Sequence, residues 1–506
     1  MFMLRARSIW LALICTLLVV LHPVRTLSQS TLTVAVEPVY APFEFRSQSG
    51  ELQGFDIDII RAVGKAAGFG VNFQSISFDG IIPALQAGTV DAAVGAITIT
   101  PARSQVVSFS RPYFKAGLGI ATRTNTPNIN TLEDLQGKSI AVQIGTTGAL
   151  AAQKVPNAQI RTFNEAVSAL QELSNGNVVA VVHDAPILQY ALKTGSLKNL
   201  RVSNQLLTSE YYGIPTPKDS PNLARINQGL GTILNNGTYA EIYRKWFNAE
   251  PPALPETIAT GEQQARSNWL TVMQNALPAL LTGAIVTIQL AAISVVIGLV
   301  AGSLIGIVRL SKVSVLRWLA RAYIDFFRGT PLIVQIFMIY FGIPAVVKDL
   351  GLEFTFDRFV AAVVALSLNS AAYIAEIVRA GIASIDVGQT EAAESLGLDA
   401  TQTLRHIIFP QAFRRMLPPL GNEFITLLKD TSLVAVIGFE ELFRRGQLIV
   451  AENYRPFELY AIVALIYLAL TLLSSQGFSY LERRMNPTQQ RRTVKKRDQA
   501  LDRASV

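Results

Sequence analysis

The sequence predicts a two-part molecule: a two-lobed α/β domain, then an all-α membrane domain of about five helices. Three observations carry that reading. Strand-like and helical apolar periods alternate across residues 31–247. Beyond a proline-stiffened connection, charge-free apolar runs of 17 to 33 residues succeed one another, enough to cross a bilayer. Half of the 506 residues are hydrophobic and only 16% are charged, against roughly a quarter in soluble domains.

In chain order, Arg5 and Arg7 precede a short apolar run at 9–21, the pattern of a secretory leader over residues 1–28; an uncleaved anchor is the other reading. Cys15, the single cysteine, lies in that run, so no intrachain disulfide or thiolate metal cluster can form. His22, His183 and His406 are too scattered for metal-ligand spacing. Residues 29–250 form the α/β domain, with strands expected at 32–36, 71–76, 92–97, 139–143 and 178–182 and helical periods at 55–67, 80–86 and 165–173. Two lobes with largely parallel sheets follow, and a ligand belongs in the cleft between them.

Residues 251–274 are a linker opening on Pro251-Pro252-Ala253-Leu254-Pro255. The membrane domain covers 275–485, with apolar runs at 276–308, 329–347, 359–375 and 459–481. A weaker fifth run, 421–439, is interrupted by Glu423, Lys429 and Asp430. Arg309, Lys312, Arg317, Arg321 and Arg328 crowd the first connection, and the tail 486–506 is basic. The excess of basic residues marks both as cytoplasmic, and five spans then put the α/β domain outside. The net charge of +8 reflects this tail near an anionic leaflet; the lack of interleaved aromatics argues against a nucleic-acid surface.

Between the third and fourth runs lies Glu391-Ala392-Ala393-Glu394, strong helix formers with acids in a first turn. Gly397 suits a left-handed helix end, and Asp399 with Gln402 three residues on suits a restart. Pro410 should end the second helix. Glu391, Ala392, Ala393, Gly397, Ile407 and Pro410, in this spacing, resemble the cytoplasmic coupling loop of bacterial ABC-transporter permeases, with Phe409 where leucine is usual. Residues 275–485 resemble the permeases of polar-amino-acid importers also at Arg328-Gly329-Thr330-Pro331-Leu332, Ala375-Glu376-Ile377-Val378-Arg379-Ala380-Gly381 and Lys429-Asp430-Thr431-Ser432-Leu433.

Residues 31–250 resemble the periplasmic glutamine-binding protein and its polar-amino-acid-binding relatives. The matching stretches include Ala41-Pro42-Phe43-Glu44-Phe45, Gly54-Phe55-Asp56-Ile57-Asp58, Phe78-Asp79-Gly80-Ile81-Ile82, Ile97-Thr98-Ile99-Thr100 and His183-Asp184-Ala185-Pro186. The resemblance implies a bilobed periplasmic-binding-protein fold with interlobe crossings near 113–117 and 207–213. It implies that Arg103 holds the carboxylate of a free amino acid, helped by the Thr147 amide. It assigns the ammonium to Asp184, Thr98 and the Ala96 carbonyl, and the aliphatic stem to Tyr40 and Phe78. Glu37, Gln143 and His183 fall at side-chain-selective positions. Gln143 replaces a lysine of the glutamine binder and Glu37 an aspartate, so glutamine leads and arginine, lysine or histidine follow.

No phosphate-binding loop is present: Gly137-Lys138-Ser139 is the one near match, and Leu132 stands at the first glycine position. The chain is therefore expected to carry no cofactor and no catalytic residue, and to work with a separate dimeric ABC ATPase that binds ATP, with a second permease copy, most simply a homodimer. An amino-acid-gated ion channel or a sensor is the rival class. A channel would insert its pore between the lobe segments, whereas here every span follows the completed domain; a sensor would need an output domain.

Overall fold

The computed structural model describes residues 30–485, apart from 127–128, 195–198, 204, 259–267 and 353. The leader expected at 1–28 and the tail expected at 486–506 lie outside the described residues.

In the first lobe, β1 (Thr31–Val36) is the middle strand of a parallel trio. It pairs from Thr31↔Gly70 to Val36↔Ser75 with β2 (Gly70–Ser75), and at Val34↔Ala92 with β3 (Ala92–Ala93). Parallel neighbours need a crossover, supplied by α1 (Phe55–Ala67) and α2 (Phe78–Gln86). α1 buries Phe55, Ile59, Ile60 and Val63, carries Asp56 and Asp58 in its first turn, and stops at Gly68, whose φ of 73° is a left-handed cap. α3 (Pro101–Val106) begins with Thr100 as cap and proline in the first turn.

The second lobe departs from expectation at one strand. Its sheet runs β6-β5-β7-β4-β8, built from β4 (Leu118–Arg123), β5 (Ser139–Gln143), β6 (Gln159–Phe163), β7 (Ala180–Asp184) and β8 (Leu200–Val202). β5 is parallel to β6 and β7, but β4 is antiparallel to β7 and β8. Four of the five strands thus run the same way and β4 alone is reversed, so a largely parallel sheet holds in both lobes with this one exception. β4 enters straight from the interlobe crossing, with no crossover helix to turn it into the parallel direction. The crossings fall where expected: Phe114–Ala116 pairs with Glu210–Tyr212, and Val107–Phe109 with Pro215–Pro217. Phe43 packs edge-on against Phe114 at 5.0 Å and Tyr212 at 5.5 Å beneath them.

A connection of 21 residues (248–268) separates the last binding-domain helix, Thr238–Phe247, from α4 (Trp269–Val308). α5 (Ser314–Gly329) turns by 106° into the segment Leu332–Val347, and α6 (Arg358–Ala383) follows. Then come α7 (Phe409–Asp430), α8 (Leu442–Asn453) and α9 (Pro456–Met485). Among the described residues three helices, α4, α6 and α9, are long and apolar enough to cross a membrane, four if the bent pair is one span. The weak fifth run is relocated: the helix covers Phe409–Asp430, and Thr431–Ile437 is a 3₁₀ turn. α7 carries Arg414, Arg415, Glu423, Lys429 and Asp430, yet its face of Ala412, Met416, Gly421 and Leu427 is buried within the bundle.

Small residues set the closest approach. Gly298, Gly302 and Gly306 on α4 face α6; a Cβ on Gly302 would stand 2.6 Å from the Ala371 carbonyl oxygen, and one on Gly306 2.7 Å from that of Ala375. The binding domain packs on one end of the bundle. Tyr340 donates to Glu172 at 2.9 Å, and Arg444 of α8 donates to the Thr162 carbonyl at 2.7 Å.

Candidate functional site

The cleft is assembled around Arg103, 2% exposed, which α3 directs between the lobes. Its Nη1 donates to the Thr98 carbonyl at 2.8 Å, and its Nη2 donates across the cleft to the Gly145 carbonyl at 2.9 Å. The guanidinium lies 5.3 Å from the Phe78 ring centre. Phe78 stacks at 6.4 Å on Tyr40, which lies 5.5 Å from the His183 ring.

Asp184, at the end of β7, accepts from the Tyr212 hydroxyl at 2.5 Å. Burial pushes its carboxyl up to about 6, against the pull of Tyr212 and Arg103. His183 is fully buried and pushed down to about 4 by burial, so its ring is neutral. The Asp184 amide donates to its Nδ1 at 2.7 Å, which leaves the proton on Nε2, 3.0 Å from Gln143 Oε1. Gln143 Nε2 in turn donates to Glu37 at 2.8 Å, and the Phe78 amide donates to the other Glu37 oxygen at 3.2 Å. Burial raises the Glu37 carboxyl to about 7. Gln143, singled out as a lost cation, thus relays between a neutral imidazole and a buried acid.

Thr98 and Thr147 meet on a residue that sequence reasoning missed. Both hydroxyls donate to Glu210 Oε2, at 2.9 and 2.8 Å. Burial and the nearby Asp184 raise the Glu210 carboxyl above its ordinary value. Glu210 lies within the 207–213 crossing, and that placement was the available signal. Tyr212 was missed likewise. Ala96 sits at φ 49°, and its amide, with that of Gly95, donates to buried Asp56. All ten candidate cleft residues therefore fall on the facing edges of the lobes or immediately behind them. Together they present one buried cation, Arg103, and two buried carboxylates, Asp184 and Glu37, groups that can pair with the two charges of a small zwitterion.

The second candidate region lies at the far end of α6, whose 26 residues span about 39 Å. The helix Val387–Ser395 is capped by Asp386 and ends at Gly397, φ 81°. Gly397 N–H donates to Glu394 O at 2.9 Å and Leu398 N–H to Ala393 O at 3.1 Å, a Schellman end. Asp399 and Gln402 form the reciprocal capping box. Pro410 does not end the helix. Thr403–Ile408 forms a π turn that runs directly into α7, with Pro410 in the first turn of α7. The wider turn takes the proline into a continuous helix instead of a stop. Ala393 is buried and Ile407 half-buried, while Glu391, Ala392, Gly397 and Pro410 are exposed. Leu396 is 83% exposed beside them.

Comparison with known proteins matches both halves. Residues 32–249 match the bacterial extracellular solute-binding proteins, family 3, and residues 298–487 match the binding-protein-dependent transport system inner membrane component. The glutamine transport system permease protein GlnP of Escherichia coli is 45% identical over 210 residues, 42% of this chain and 94% of that protein. The chain belongs to this family of transport permeases. The arginine transport system permease protein ArtQ of Bacillus subtilis is 40% identical over 209 residues, 41% of the permease described here and 93% of that protein. The arginine-, lysine-, histidine-binding protein ArtJ of Geobacillus stearothermophilus is 39% identical, covers 44% of this permease and 97% of its own chain, and has a TM-score of 0.42. The permease thus carries a solute-binding domain and a membrane component in one polypeptide, and its relatives are transport subunits, not enzymes.

Proposed function

We propose that this permease captures a polar amino acid in the interlobe cleft and passes it across a bacterial inner membrane, using a separate ABC ATPase. The observation that carries the reading is buried Arg103 in the same cleft as Asp184, a cation for an α-carboxylate and an anion for an α-ammonium. Thr98 and Ala96 would complete the ammonium site, the Thr147 amide the carboxylate site, and the Tyr40 and Phe78 rings would flank the stem. GlnP and ArtQ are named for glutamine and arginine, which sets the substrate class.

Charge balance supports a basic side chain over glutamine within that class. Glu37 and Glu210 are held above their ordinary carboxylate values by burial, with Arg103 already committed and His183 neutral. A cationic side chain would relieve both. With the bent pair and α7 both counted as crossings, the excess of basic residues in the first connection and the tail would put the binding domain outside and the 391–410 loop in the cytoplasm. There the loop would receive the ATPase, with a second permease copy completing the pathway.

The test is a competition screen of the twenty amino acids on the full chain in lipid nanodiscs. Arginine, lysine and glutamine are expected to compete, in that order, and aspartate and glutamate to fail. Binding of no amino acid would overturn the reading; glutamine outcompeting arginine would overturn the charge argument alone. The purified chain without an ATPase should turn over no ATP.

A further inference from the structure

One residue in the cleft comes from neither lobe. Tyr454, just past the end of α8 in the membrane half, is 8% exposed and packs in the same apolar cluster as Phe78, Ile81 and Ile82 of the first lobe. Its hydroxyl accepts from Arg103 Nε at 3.3 Å, 351 residues away in sequence. The same short stretch holds the second lobe. Fully buried Arg444 donates to the Thr162 carbonyl and the Asn164 side chain, and Gln153 donates to Glu452 at 3.0 Å. Ala451 stands against Gly145, where an added Cβ would lie 3.8 Å away. α8 therefore bridges both lobes at the mouth of the closed cleft.

Every nitrogen of the Arg103 guanidinium then has a protein partner: Nη1 on Thr98 O, Nη2 on Gly145 O, Nε on the Tyr454 hydroxyl. A carboxylate binds guanidinium best through two parallel N–H bonds along one edge. The Nε/Nη2 edge is the one capped by Tyr454 and Gly145. Tyr454 adopts the left-handed conformation at φ 55°, uncommon for a residue with a side chain, and its amide closes α8 on Val450 O at 2.8 Å. The helix end thus delivers the ring to the cleft.

We infer that Tyr454 is a release element of the permease: when α8 docks on the closed lobes, its hydroxyl takes the Arg103 edge from the ligand carboxylate and discharges the amino acid. This rests on the proposed role of Arg103 as carboxylate holder. By reciprocity, bound amino acid weakens the Tyr454 contact by the factor that the contact weakens amino-acid binding.

The test uses the full chain in nanodiscs with radiolabelled arginine and glutamine. Tyr454→Phe keeps the ring in its apolar cluster and removes the hydroxyl alone. It should bind at least about tenfold tighter, as expected for losing one competing hydrogen bond to a charged group, and release ligand correspondingly slower. A Gln153→Cys/Glu452→Cys pair, placed where these side-chain tips meet across the α8 contact, reports docking by cross-linking with a short bifunctional thiol reagent and should cross-link equally with and without Tyr454→Phe. Unchanged or weaker binding by Tyr454→Phe, with docking intact, overturns the inference. Loss of docking in Tyr454→Phe also overturns it, since the tyrosine would then be an anchor. Arg103→Ala separates the two claims: if it retains normal affinity, the assignment of Arg103 fails; if it abolishes binding while Tyr454→Phe changes nothing, only the release role fails.

Discussion

The cleft and the loop at the far end of α6 use polar side chains in opposite ways. In the cleft, polar groups are buried and paired over long sequence distances: Glu37 with Gln143, Thr98 with Glu210, Arg103 with Gly145. In the loop, the caps close on neighbours two to five residues away, and Gln411 joins its two helices through Gln389 at 3.1 Å. Two of its apolar residues face outward, Leu396 at 83% and Val387 at 70% exposure. A site whose polar groups are desolvated beforehand suits a small ligand, whereas a self-sufficient fold with exposed apolar residues suits a macromolecular surface. Chemistry is concentrated in the first region and shape in the second.

That contrast can be broken at either end. Arg103→Ala should have the largest effect, lowering amino-acid affinity at least a hundredfold by calorimetry while leaving ATPase association intact. Near-normal affinity would remove the cleft from the argument. Gly397→Val meets no neighbouring atom but forces a β-branched residue to φ 81°, a local cost of about 1–2 kcal/mol. Ligand binding should be unchanged and uptake should fall about tenfold; normal uptake would show that the loop geometry is not what the partner reads.

The smallest effect is a pH dependence. Glu37 titrates near 7 in the folded chain against 4.5 ordinarily, so the folded state holds an extra proton between these values. The stability that this proton contributes falls as pH rises through the window, by up to about 3 kcal/mol. His183, at about 4, works the other way: its contribution is lost as pH falls from 6.5 toward 4. In Glu37→Gln the first slope disappears, so its stability relative to wild type should grow between pH 4.5 and 7 in thermal melts of the full chain. A flat difference would mean that Glu37 is ionised throughout.

What the sequence disclosed follows the range of the forces involved. The Asp399–Gln402 box and the Gly397 end were legible because caps are local chemistry. The spans were legible because a bilayer demands long apolar runs. β4 was not read as antiparallel, because strand direction depends on the path of the chain, not on side-chain type. Pro410 misled because proline chemistry forecasts a stop, and the π turn before it was invisible. Glu210 and Tyr454 act across 112 and 351 residues, so only the packed lobes and the docked helix bring them to Thr98 and Arg103.

The 21-residue connection between the binding domain and α4 has a further consequence. A tether of that length keeps the domain at an effective concentration on the order of millimolar beside its own membrane half. Arg444, Glu452 and Tyr454 therefore need only a weak grip for α8 to be occupied most of the time. Weakness is useful here, because a domain that cannot diffuse away must still let go to reload. In the proposed cycle, supply to the pathway would then follow how often the tethered domain lets go.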